Sequence, residues 1–360
     1  MLDDKARVLI TIAVIAFSCM LIGTGICMKR AYDGMTDRQV NEIYRYDLRM
    51  DVNDDMSRET REALVKVLKE NNTSYLPATY RNYLYRWDDR LDGLKLICAD
   101  PKRLGDYLAV KDPESGKAMS IPESGILIQR RMNESYGMKK GDTLPILDGT
   151  LKRREGKIKG YFTNYVGRMV VVSPTAYKEI FKEDTKDNCY YIKLKGADAD
   201  TLKKDLLAVS KDVSFESSDE FKTKFESVSL LYNILVVLTT GISILISFMI
   251  LTNMSNIFLT RKKTELTIMR VNGFSIKQTK GYLTKETVMT TVTGLILGVL
   301  IGIWVAPRIT AQMQQPDLEF VKSFHPVPWL IAVGLESAFA VIISAFVFRK
   351  VKDLDLKDIS

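Results

Sequence analysis

The sequence predicts a four-helix transmembrane protein with one large mixed α/β domain between its first and second spans. Three observations predict it. Four stretches are almost free of charge, in a 360-residue chain that is otherwise densely charged. Each is long enough for a helix of about 20 residues, the length that crosses the roughly 30 Å hydrocarbon core. A polar segment of about 200 residues separates the first apolar stretch from the second.

The apolar stretches are Val8–Met28, Val228–Thr260, Thr287–Pro307 and Val327–Phe348, the last interrupted only by Glu336. Val8–Met28 is longer than the apolar run of a secretory signal, about 7–15 residues, and is read as a retained span. Orientation follows from charge. Short loops rich in Lys and Arg stay on the cytoplasmic side. The segment 261–286 carries Arg261, Lys262, Lys263, Arg270, Lys277, Lys280 and Lys285 against Glu265 and Glu286. It is therefore placed inside. The loop 308–326 balances Arg308 and Lys322 with Asp317 and Glu319 and is placed outside.

The expected order is a cytoplasmic start and first span (1–28), an extracytoplasmic α/β domain (29–227), a second span (228–260) and a cytoplasmic loop (261–286). A third span (287–307), an outer loop (308–326), a fourth span (327–348) and a cytoplasmic tail (349–360) follow. The net charge of +8 then needs no nucleic-acid partner. Much of the excess sits where the topology rule places it, and acidic lipid is a further partner for it.

Within the polar segment, Ser57 precedes a run with Ala63, Leu64, Val67 and Leu68 on one helical face. Tyr75–Trp87, Leu94–Ala99, Gly125–Gln129, Thr143–Leu147, Lys157–Phe162, Met169–Ser173 and Cys189–Leu194 read as strands. Gln129–Tyr136 reads as a helix stopped by Gly137. Pro174–Phe181 starts with Pro in its first turn, and Asp198–Val209 is another helix. Ser217 and Glu220 form a capping box. No Pro or Gly follows before Gly241, so one long helix is expected from 219 to 272, with a possible kink near 253–256. Gly273 is its stop, and a short amphipathic segment restarts after Ser275.

Few residues suggest chemistry. The single histidine, His325, has no partners with a triad or metal pattern. Gly116-Lys117 and Gly156-Lys157 lack the first glycine of a phosphate-binding loop, so any ATP is bound by another polypeptide. Cys98 and Cys189 are read as buried free thiols. Gly294, Gly298 and Gly302 repeat a small-residue spacing that lets helices approach closely in lipid. Glu336 is an intramembrane acid, read either as a proton or substrate site or as a hydrogen-bonded group facing the bundle, with the second reading ahead.

Arg261, Glu265, Arg270, Gly273 and Ser275, read loosely as R-x-x-E-x-x-x-x-R-x-x-G-x-S, are followed by Glu286 at the start of a glycine-rich span. This resembles the FtsX-like permease family, which includes MacB-type ABC transporter permeases. The segment Gly125–Leu144, with Lys140-Gly141-Asp142, resembles the apolar strand, helix and K-x-GD pattern of the MacB-like domain. Cys19–Tyr46 resembles the second half of long ten-span members from Gram-positive bacteria. The resemblance implies a permease of the bacterial cell membrane, not itself an enzyme, that binds no cofactor and pairs with a separate ABC ATPase and a second permease copy or half. It implies that Arg261, Glu265, Arg270, Gly273 and Glu286 belong to the region that couples to the ATPase. Glu336 departs from the family's small or hydroxyl residues, so no role is carried onto it. The rival reading is a membrane-anchored sensor or binding protein without an ATPase.

Overall fold

The computed structural model describes residues 2–273, 275–321 and 325–352; at some helical positions, chiefly 253–267, 276–286 and 343–352, it describes the backbone without the side chain. The chain divides into a helical unit (1–32, 229–313 and 322–360) and an α/β unit (33–228 and 314–321).

In the helical unit, α1 (Leu2–Arg38) contributes its first part and α7 (Ser218–Val271) its second; α8 (Ile276–Met313) and α9 (Val327–Lys352) complete it. Three helices are long and apolar enough to cross a membrane among the described residues: Val8–Ile43, Ser218–Ile246 and Thr287–Met313. Val327–Ile342 is a shorter apolar helix. The expected count of four spans therefore stands as three full-length candidates and one short one.

The helix boundaries differ from those drawn by hydropathy. The first helix continues from Met28 to Arg38 and ends in a π-helical turn, Gln39–Ile43. Apolar composition marks the hydrocarbon core, whereas backbone hydrogen bonding carries a helix on past it. For the same reason α8 runs through Pro307 to Met313, and the segment after Ser275 is the start of α8 rather than a separate short helix. Its cap is as expected: the Gln278 N–H donates to Ser275 Oγ at 3.3 Å. The long helix is one element, Ser218–Val271. Its capping box is formed, with the Glu220 N–H donating to Ser217 Oγ at 3.0 Å and the Ser217 N–H to Glu220 Oε2 at 3.4 Å. Gly273 follows at φ +86°, the left-handed conformation in which glycine meets no Cβ penalty.

The α/β unit is built on nine strands: β1 (Leu48–Val52), β2 (Ser74–Trp87), β3 (Arg90–Ala99), β4 (Ile126–Gln129), β5 (Thr143–Leu147), β6 (Arg153–Phe162), β7 (Met169–Val172), β8 (Cys189–Lys193) and β9 (Val213–Ser217). Their order is β3-β7-β4-β6-β5-β2-β8-β1-β9, and β2 also pairs with β3. That extra pairing closes β3, β7, β4, β6, β5 and β2 into a six-stranded barrel. The N-terminal part of β2 pairs with β8, so β8, β1 and β9 extend from it as an open sheet.

Each part has its own core. Inside the barrel, Tyr85, Leu96, Ile126, Ile128, Ile146, Ile158 and Val170 are buried together, with Ala176, Tyr177 and Phe181 of helix α5 (Pro174–Phe181). On the open sheet, Leu48, Met50 and Ile192 pack against Leu64 and Leu68 of α2 (Arg58–Glu70) and Leu202 and Leu206 of α6 (Ala199–Val209). Alternate residues of a strand face opposite sides. Arg49 and Asp51 consequently lie on the face of the sheet away from these helices. Two more helices, α3 (Pro101–Tyr107) and α4 (Arg130–Tyr136), cap strand ends. Gly137 stops α4 at φ +68°.

Candidate functional site

The helical unit is assembled around close contacts of small residues. A Cβ added at Gly294 would lie 2.8 Å from Ile15 Cβ, and one at Gly298 would lie 2.7 Å from the Ala16 carbonyl oxygen and 2.9 Å from Cys19 Cβ. These two glycines therefore let α8 pass α1 almost backbone to backbone. Gly302 meets something different. Trp329 of α9 fills the space that a side chain at Gly302, or at Gly23 of α1, would need. The ring is 5% exposed and acts as a plug among the three helices.

Glu336 lies in the same packing, 2% exposed, and accepts a hydrogen bond from Ser18 Oγ of α1. An acid in this setting is held by a hydrogen bond between helices, each worth about 0.6 kcal/mol on average in membrane bundles. Glu336→Gln, which keeps an acceptor oxygen, is expected to leave folded yield and thermal stability in detergent unchanged. Glu336→Lys places a cation at that spot and is expected to abolish the folded protein. Equal loss in both variants would show instead that the carboxyl group itself is required.

The 261–286 segment is divided between the end of α7 and the start of α8. Arg261, Glu265 and Arg270 lie in α7 and Glu286 in α8, and their side chains fall outside the described residues. Gly273 is exposed at the turn between the two helices. Asn272 Nδ2 donates to the Ile268 carbonyl at 2.9 Å and so satisfies one open carbonyl of the last turn.

In the α/β unit, three chain segments meet at residues 164–167. The first is the π-helical turn at the end of α1. Gln39 is fully buried; its Oε1 accepts from the N–H groups of Tyr165 (2.8 Å) and Val166 (3.2 Å), and its Nε2 donates to Asn164 Oδ1 at 2.9 Å. The second is the loop itself. Asn164 Nδ2 donates to the Val166 and Gly167 carbonyls, and Gln129 Nε2 donates to the Asn164 carbonyl at 2.6 Å. The third is the connection between α8 and α9. Leu318 bridges to Val166, the Glu319 N–H donates to the Tyr165 carbonyl at 2.8 Å, and the Gly167 N–H donates to the Asp317 carbonyl at 2.7 Å. Glu319, 1% exposed, pairs with Arg130.

Sequence reasoning missed Gln39, Asn164, Arg130 and Glu319. It counted Asp317 and Glu319 only as charge balance in an outer loop, whereas 314–321 belong to the α/β unit. Nothing local marks them, because the contacts that join these segments, Gln39 with 164–166 and Arg130 with Glu319, span more than a hundred residues. Cys98 and Cys189 are buried free thiols. Burial pushes the Cys98 thiol up to about 12 and the Cys189 thiol well above its ordinary value, so neither supplies a thiolate nucleophile.

Residues 237–356 match the FtsX-like permease C-terminal family. No curated protein matches the chain. Among solved structures, the periplasmic region of MacB from Actinobacillus actinomycetemcomitans aligns at 12% identity over 52% of this chain and 97% of its own, with a TM-score of 0.33. The extracellular domain of the noncanonic ABC-type transporter YknZ from Gram-positive bacteria aligns at 11% identity over 48% of this chain and 99% of its own, with a TM-score of 0.30. A domain of a putative permease protein from Porphyromonas gingivalis aligns at 14% identity over 49% and 90%, with a TM-score of 0.27.

Proposed function

We propose that this chain, a membrane protein whose C-terminal third is FtsX-like, is the permease subunit of an ABC transporter. It couples ATP hydrolysis by a separate ATPase subunit to motion of its α/β domain outside the membrane. The observation that carries this reading is the family match over residues 237–356, which takes in the 261–286 segment and the helices on both sides of it.

In this reading Arg261, Glu265, Arg270, Gly273 and Glu286 meet the ATPase, and both termini face the cytoplasm of a bacterial cell. A second permease copy or half completes the transporter, and lipid covers the remaining apolar helix faces. ATP belongs to the partner, and this chain binds no cofactor of its own. Export, extraction and mechanical transmission are the forms of work open to such an assembly.

Two features support a mechanical role. The helix α7 is a single element of 54 residues, about 80 Å of rise, that contributes to both units. The 164–167 junction receives the end of α1 and the α8–α9 connection at one buried point. A displacement of either segment is then passed directly to the barrel through β4 and β6, which flank that loop through Gln129 and Phe162.

Gentle purification of the full chain from native membranes, with a non-hydrolysable ATP analogue present, tests the reading. An ABC ATPase subunit is expected to come with it. A preparation that retains no ATPase contradicts the proposal.

A further inference from the structure

The exposed apolar face of α8 ends in a cation. Val288, Ile296, Leu300 and Trp304 are exposed along it, and Arg308, the first charge after Glu286, follows one turn beyond Trp304. From Val288 to Arg308 the helix rises about 30 Å, the thickness of the hydrocarbon core, so Arg308 stands at headgroup height. Its guanidinium folds back toward the apolar face. It lies over the Trp304 ring, 3.8 Å from its centre, and donates to the Trp304 carbonyl at 2.5 Å.

The neighbouring helix places a second arginine at the same height. α1 and α8 run side by side in one register: Gly294 meets Ile15, Gly298 meets Ala16 and Cys19, and Gly302 and Gly23 share Trp329. Continued along both helices, that register sets Arg30 level with Ile309, the residue after Arg308. Ala16, Gly23 and Arg30 recur every two turns and so lie on one side of α1, the side that meets α8. Arg30 is exposed there. Lys29 and Arg30 are the first charges on α1 after Arg7, as Arg308 is on α8 after Glu286.

This corner has no acid of its own. The acids of the helical unit, Glu336 apart, lie at the other end of the helices: Asp3 and Asp4 on α1, Glu265 on α7 and Glu286 on α8. Neither Arg30 nor Arg308 forms an ion pair among the described residues. The acids nearest in the chain belong to the α/β unit. Asp37 pairs with Lys222 and Glu319 with Arg130, and Asp33 and Asp317 pair with neither arginine. The charge balance that the sequence suggests for the loop after α8 is therefore not realised at Arg308.

We propose that Arg30, Arg308 and Trp304 bind the headgroup of an anionic phospholipid, with both guanidiniums on its phosphate and the Trp304 ring against the glycerol and upper acyl chain. The proposal rests on the membrane character of the chain and not on an ATPase, nor on which side of the membrane the α/β unit lies. In water an exposed arginine needs no partner. At the edge of the hydrocarbon it is less hydrated, and an anion beside it is held more strongly. Its rival is an ordinary interfacial Trp–Arg anchor that any lipid satisfies.

The chain has three tryptophans, which makes the test direct. Trp329 is 5% exposed and Trp87 lies in β2 of the α/β unit, so Trp304, 62% exposed, is the one that lipid chains reach. The full chain is placed in phosphatidylcholine nanodiscs in which a minor fraction of the lipid carries bromine on its acyl chains, as either phosphatidylglycerol or phosphatidylcholine. Bromine quenches tryptophan fluorescence on contact, and Trp304→Phe identifies the share that comes from Trp304. Brominated phosphatidylglycerol is expected to quench Trp304 at a lower mole fraction than brominated phosphatidylcholine, by about fivefold for each arginine. The preference is expected to shrink as salt is added. Arg30→Gln and Arg308→Gln, both at exposed positions, are each expected to reduce it about fivefold, and the double variant to abolish it. Equal quenching by the two lipids in the wild type overturns the proposal and leaves the ordinary anchor, and so does a preference that the double variant retains. Quenching by neither lipid overturns the placement of α8 in the membrane along with it.

Discussion

Leucine at Gly298 is expected to cost the helical unit about 3 kcal/mol or more and to leave little folded protein in detergent. The physical reason is the backbone on the other side. Even a Cβ there would sit 2.7 Å from the Ala16 carbonyl oxygen and 2.9 Å from Cys19 Cβ. Backbone cannot rotate away as a flexible side chain can, so α1 and α8 must separate. Overpacking a tight interior costs about 1–3 kcal/mol when side chains can adjust, and more when they cannot. The loss also removes close van der Waals contact, which drives helix association in lipid where water no longer does. Gly334 of α9 has nothing within 4 Å of its Cβ position and provides the control. Thermal unfolding of Gly298→Leu and Gly334→Leu should differ sharply. Equal stability of the two would mean that the small-residue spacing does not hold these helices together.

The second large effect is expected at Glu319. Glu319→Ala leaves Arg130 without its buried partner, and breaking a buried pair by removing one member costs about 3–5 kcal/mol. Arg130 keeps some solvent contact, with 30% of its side chain exposed, and a second partner in Glu134 at 3.7 Å, so the loss is expected at or below the lower end of that range. The double variant Arg130→Met/Glu319→Leu replaces charge by apolar packing and is expected to recover most of the stability. On the permease reading proposed above, it is not expected to recover transport. If 314–321 transmits motion from α8 and α9 to the barrel, the stable double variant should hydrolyse ATP with its partner while moving substrate poorly. Full transport by the double variant would reduce the pair to a structural contact.

The sequence carried the fold unevenly, for reasons that can be located. Apolar runs, Ser57, Ser217 with Glu220, Gly137 and Gly273 each act within a few residues, and each is where the sequence places it. Strand β1 was missed although Leu48, Met50 and Val52 alternate with Arg49 and Asp51. Five residues between two polar segments make a weak pattern, and its meaning lies in pairing with β8 and β9, more than a hundred residues later. Barrel closure was not legible either, because it depends on β2 pairing with β3 and β5 at once.

The same contrast holds for function. Gly294, Gly298 and Gly302 announce themselves by spacing, whereas Gln39, Asn164 and Glu319 are polar residues whose importance is set by burial.

The central claim of the proposal is that residues 261–286 connect this chain to an ATPase. The measurement that tests it most directly compares ATPase retention by the wild type, Arg270→Glu and Glu265→Lys, purified from native membranes at equal insertion. The account predicts that the wild type holds the ATPase and that both variants lose it while remaining folded in the membrane. Retention by both charge-reversed variants at the wild-type level would contradict it and move the ATPase contact elsewhere on the chain.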